Sequence, residues 1–114
     1  MSEYELELDE TLAPDVMVSL SGELDLSNAR ELEERLRAVA PAESLFVLDL
    51  NRVVFIDSAA LHVLFKIARH LGQGSLVLVL DPAAPVSRTL EIVGMREAAR
   101  IVASRDGLEP APSA

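Results

Sequence analysis

Apolar and acidic residues alternate strictly between Glu3 and Asp9, with Tyr4, Leu6 and Leu8 on one side and Glu3, Glu5, Glu7 and Asp9 on the other. A period of two with one acidic face predicts a half-buried strand at a sheet edge. Pro14-Asp15 marks a turn, after which Val16, Val18 and Leu20 share one face of a second strand that Gly22 ends. The short link favours an antiparallel hairpin. Over DLSNARELEERLRAV the period lengthens, and Ala29, Leu32, Leu36 and Val39 form an apolar stripe against an Arg/Glu face. A helix is expected there, capped by Ser27 or Asn28, with Glu31 three residues beyond Asn28, and ended by Pro41.

LFVLDL, from Leu45, is apolar on both faces, as a central strand covered by helices should be. Helical spacing returns from Ser58 to Leu71, with Leu61, Leu64, Ala68 and Leu71 inward, and Gly72 to Gly74 stop it. SLVLVL reads as a second central strand. A short helix is expected from about Pro85, with Val86, Leu90 and Val93 inward and Gly94 as its stop. ARIVAS supplies a short last strand. The order is therefore β-β-α-β-α-β-α-β, which predicts a small mixed α/β sheet of about five strands flanked by helices. Strand order stays open. The domain is expected over residues 1–104, with 105–114 a polar, Pro-containing tail that frays.

Composition narrows the function classes. The chain has 114 residues, half of them apolar, enough for one modest core. No run approaches the roughly 18 apolar residues of a membrane span, and the acidic start is unlike a secretory signal. Without cysteine there is neither a disulfide framework nor a thiolate metal site, so the cytoplasm is the expected compartment. The formal net charge of −9 repels phosphate backbones and anionic lipid, which argues against nucleic acid and membrane insertion and for a protein partner.

In open α/β sheets, ligands and partners meet the loops at the carboxyl ends of strands. Two such segments are distinctive here: SGELDLSN before the first helix, and VVFIDSAAL before the second. If their strands are neighbours, Asp25 comes near Ser58. Ser58 itself reads as a helix N-cap, worth about 1 kcal/mol, or as a hydroxyl presented at the positive end of a helix. His62, Lys66 and Arg69 follow it at helical spacing, a cationic stripe that is either a solvated face or a docking face. A Ser58 nucleophile with His62 as base lacks the glycines of the nucleophile elbow and an evident pocket. His62 and His70 lie too far apart for an adjacent pair of metal ligands. No catalytic residue, metal or cofactor is expected.

Four segments in order, SGELDLSNA, LDLNRVVFIDSAAL, GSLVLVL and SRTLEIVGM, resemble the STAS domain, in particular the stand-alone bacterial anti-sigma factor antagonists. The resemblance runs from about Val16 to Ala103. It implies a small mixed-sheet fold and a non-enzymatic regulator. The unphosphorylated form of such a regulator binds an anti-sigma factor that is also a serine kinase, and a serine phosphatase reverses its phosphorylation. By that resemblance Ser58 is the phosphoacceptor, Asp57 its neighbour and Asp25 the acidic residue of the adjacent loop. The expected partner surface comprises Leu24, Asp25 and Ser27 with Asp57, Ala59, His62 and Lys66. Ala59-Ala60 stand where the family often has Ser-Gly, and alanine stiffens a helix start by roughly 1 kcal/mol. A constitutive STAS subunit of a transporter or signalling assembly is the alternative this departure leaves open.

Overall fold

The computed structural model describes residues 2–108. Five strands lie in the order β1-β2-β3-β4-β5: β1 (Tyr4–Asp9), β2 (Val16–Leu24), β3 (Phe46–Ile56), β4 (Leu76–Val79) and β5 (Arg100–Val102). Helices α1 (Ala29–Val39), α2 (Ser58–Leu71) and α3 (Ser87–Ile92) connect β2 to β5, with 3-10 turns at Met95–Glu97 and Arg105–Leu108. β1 pairs antiparallel with β2 as a hairpin, and every later pairing is parallel. The expected element order is therefore present, with the strand order now added.

That order decides where the helices go. Successive parallel strands laid side by side in one direction, each reached by a right-handed crossover, put every crossover on the same face of the sheet. Accordingly, Leu32 and Leu36 of α1, Leu61, Leu64 and Ile67 of α2, and Leu90 of α3 share one buried cluster with Val18, Leu20, Phe46, Leu48, Leu50, Leu76 and Leu78 of the sheet. Each such side chain contributes about 1.5–3 kcal/mol by leaving water. The central strands are apolar on both faces, as expected, but the helices cover one. Met17, Val47, Val77 and Val79 line the other, with Leu12, Leu45 and Val102 packed against them.

Details of the pattern shift. Val39 and Leu71 face inward as expected, half-buried at the edge of the core they pack against. α3 begins at Ser87 rather than Pro85, and Val93 stands exposed because the helix has already ended at Ile92. Gly94 breaks the chain at φ 75°, a left-handed conformation that suits glycine. Of the expected tail, residues 105–108 form a turn, and Arg105 reaches back to Asp49 at 3.5 Å and donates to the Ser19 hydroxyl at 3.2 Å. Residues 109–114 of that tail lie outside the described residues.

Candidate functional site at the carboxyl ends of the second and third strands

β2 and β3 are parallel neighbours whose pairing runs to Leu24 opposite Ile56. The two segments singled out in the sequence therefore emerge side by side. The second is no loop: β3 continues through VVFI, leaving Asp57 alone between strand and helix.

Asp57 holds the two segments together. Its backbone N–H donates to the Leu24 carbonyl at 3.1 Å, so the strand pairing persists one residue beyond the ladder. Its Oδ1 accepts from the Ala60 N–H at 3.1 Å, while Oδ2 accepts from the Leu26 N–H at 3.0 Å. One carboxylate thus caps α2 and fixes the neighbouring loop. Asp57, in extended conformation, is the N-cap. The expectation that Ser58 caps this helix is corrected: Ser58 is its first residue, exposed, and among the described residues no hydrogen bond engages its hydroxyl.

The loop that Asp57 grips is ordered from within. Asp25 Oδ1 accepts from the Ser27 N–H at 2.9 Å and from the Ser27 hydroxyl at 2.6 Å, and its other oxygen accepts from the Ser2 hydroxyl. The Ser2 and Ser27 hydroxyls hold the Asp25 carboxyl below the usual carboxylate range. Asn28 stands at the N-cap position of α1, yet its side chain does not cap the helix. Instead Oδ1 accepts from the Asp25 N–H at 3.0 Å and Nδ2 donates to the Glu23 carbonyl at 2.8 Å, so the buried amide is satisfied inside the loop. Glu31, expected to complete a capping box, accepts from the Tyr4 hydroxyl at 2.7 Å. The N-terminal strand is thereby tied to both the loop and α1.

The sequence-predicted residues divide into two groups. Asp25, Ser27, Asp57, Ser58, Ala59 and His62 come together at this end, all exposed or half-exposed. Leu24 does not: it is 0 % exposed, part of the core under the sheet, and Leu26 is the exposed leucine at 79 %. Lys66 is engaged with Glu33 of α1 at 3.3 Å, which interrupts the cationic stripe expected along α2. Arg37, at 3.0 Å, and then Lys66 hold the Glu33 carboxyl below its ordinary range. Among the described residues no hydrogen bond joins Ser58 to His62, and no cluster of three or more His, Asp or Glu converges on a metal position.

Val54 and Phe55 were missed. Each is roughly half exposed, at 59 % and 49 %, and both sit at this same end of β3. The sequence sets them in the VVFIDSAAL segment after the third strand; they lie instead inside β3, where irregular pairing that the composition does not signal turns both outward.

Comparison with known proteins bears on this site. Residues 6–107 match the model of a family described as the STAS domain. A Bordetella bronchiseptica protein, BtrV, named provisionally as an anti-sigma factor antagonist, is 36 % identical over 93 residues, covering 80 % of each chain. An anti-sigma-F factor antagonist of Mycobacterium tuberculosis, RsfB, is 29 % identical over 86 residues, 75 % of this chain and 70 % of that one. The crystal structure of an anti-sigma factor antagonist from Mycobacterium paratuberculosis superposes with a TM-score of 0.78 at 25 % identity, covering 92 % of this chain and 90 % of the other.

Proposed function

The chain belongs to the STAS domain family, and from that premise we propose an anti-sigma factor antagonist switched by phosphorylation at Ser58. It acts by binding: its partner is an anti-sigma factor, and occupying that partner frees a sigma factor. In this reading it is not an enzyme and it works in the cytoplasm, beside the transcription machinery. No helix of the described residues is long and apolar enough to cross a membrane.

The observation that carries the switch is the division of labour between Asp57 and Ser58. Asp57 caps α2, so Ser58 is left exposed with its hydroxyl unused among the described residues. A kinase can take that hydroxyl without unmaking the helix start. Phosphate adds about 1.5–2 negative charges and three acceptor oxygens. On Ser58 it stands next to the Asp57 carboxylate and close to the Asp25 loop, since Asp57 bonds that loop directly. The helix end offsets part of the repulsion. A partner docked over the site would have to desolvate the new charge against two carboxylates, which weakens binding with no change of fold.

The test is to incubate the chain with its cognate anti-sigma factor kinase and ATP, and to locate phosphate by mass spectrometry. Phosphate on Ser58, its loss in Ser58→Ala, and weakened anti-sigma factor binding by Ser58→Asp are expected. If no phosphate reaches Ser58 and Ser58→Asp binds as tightly as wild type, the switch is wrong.

A further inference from the structure

Leu26, Val54 and Phe55 are large apolar side chains standing in water at the same end of the sheet. The cause lies in the ladder. β3 pairs with β4 no further than Asp49, whereas its pairing with β2 continues to Ile56, so residues 50–56 extend beyond β4 as a ribbon with β2, which β1 flanks on its other side as far as Gly22. That ribbon carries two register slips. Ser19 and Ser21 face Asp49 and Arg52, and Gly22 and Glu23 face Val53 and Phe55. Val54 is the extra residue of the second slip, a β-bulge in which two residues oppose one. Val53 and Ile56 therefore enter the core while Val54 and Phe55 both turn away from it, opposite Glu23. Leu26 joins them from the neighbouring loop, held by its N–H to the Asp57 carboxylate.

Single exposed apolar residues need no explanation, but these three come from adjacent segments, and Ser58 follows Phe55 by three residues in the chain. Their charged surroundings are mostly of one sign. Glu23 lies opposite Phe55, Glu3 lies beside Glu23 through its carbonyl, and Asp25 and Asp57 flank Leu26; against these stand Arg52 in β3 and Arg105, which reaches the start of the ribbon at Ser19 and Asp49. The geometry points to Leu26, Val54 and Phe55 as the apolar anchor of the partner interface, taken by an anti-sigma factor face whose own apolar contacts are ringed by Arg or Lys. The occupant follows from the charge. A second copy of this chain would bring the same acidic rim against itself, on a molecule already at −9. The inference rests on the function proposed above and specifies where its binding energy is concentrated, since a few central apolar residues dominate most interfaces.

The experiment measures binding of the unphosphorylated full chain to the purified cognate anti-sigma factor by calorimetry, for wild type, Leu26→Ser, Val54→Thr and Phe55→Ser. Leu26→Ser in a loop and the near-isosteric Val54→Thr keep the test valid even if Phe55→Ser folds poorly, and thermal melts verify folding. Each of the two folded variants is expected to weaken binding by about 10-fold or more, whereas Ile92→Ser, equally exposed but on α3, binds as wild type. If wild type binds and is released by phosphorylation while Leu26→Ser and Val54→Thr bind within twofold of it, the anchor is overturned and the function proposed above stands. If wild type does not bind the anti-sigma factor at all, both fail. Concentration-dependent dimers of wild type that Leu26→Ser abolishes would overturn the assigned occupant in favour of a second copy.

Discussion

Asp and Ser are both good helix caps, so the dipeptide Asp57-Ser58 offered two candidates, and the sequence reading chose the second. What decides between them is the length of β3. Pairing that continues to Ile56 opposite Leu24, with the Asp57 N–H still bonded to the Leu24 carbonyl, keeps Asp57 extended and makes Ser58 the first helical residue. That length depends on bulges, which a single sequence does not count. The residue types of the site were therefore legible, and their roles were exchanged. The consequence is measurable. Asp57→Ala removes the α2 cap and the bond to Leu26, and is expected to cost about 1–2 kcal/mol in urea denaturation. Ser58→Ala removes no side-chain hydrogen bond found among the described residues and is expected to change stability by less than about 0.5 kcal/mol. The reverse ranking would return the capping role to Ser58.

At the scale of elements, strands and helices were readable because their periods persist over many residues, while faces were misread wherever the period slips. Leu24 and Leu26 illustrate it: two leucines in one segment, the first ending β2 inside the core, the second past the strand and exposed. Val54 and Phe55, set by the sequence in the segment after the third strand, lie inside β3 at a bulge. Gly22, read from sequence as the end of the second strand, is instead an interior position where β1 comes closest. Its φ is 92°, and an added Cβ would run into the Glu3 carbonyl oxygen, which accepts from the Glu23 N–H at 2.9 Å. Glycine is needed there for both conformation and space. Gly22→Ala is expected to destabilise the chain by about 1–3 kcal/mol and to speed amide exchange in β1 ahead of β3. Because Ser2 and Tyr4 hold Asp25 and Glu31, loosening β1 also loosens the Asp25 loop. Uniform exchange across the sheet would show that β1 is not the element Gly22 secures.

For the whole molecule, charge and shape act at different stages of an encounter. Nineteen acidic against ten basic residues give a long-range field that attracts a basic partner before contact. The Leu26, Val54 and Phe55 patch acts after water has been expelled, when burial rather than field sets how long the complex lasts. Salt separates the two, since it shortens the Debye length from ~10 Å at 0.1 M to ~3 Å at 1 M and leaves desolvated apolar contacts largely intact. Stopped-flow binding to the anti-sigma factor is therefore expected to show an association rate constant that falls steeply with salt and a dissociation rate constant that hardly moves. Leu26→Ser should do the opposite, raising dissociation with association unchanged. In the proposed switch a Ser58 phosphate would act on both, adding negative charge to a field already of that sign and a strongly hydrated group beside the apolar contact. It should leave attraction to a basic partner intact and raise the dissociation rate, so that loss of affinity in the phosphorylated chain survives at high salt. A phosphorylation effect that instead vanished with added salt would place the phosphate outside the contact, acting through the field alone.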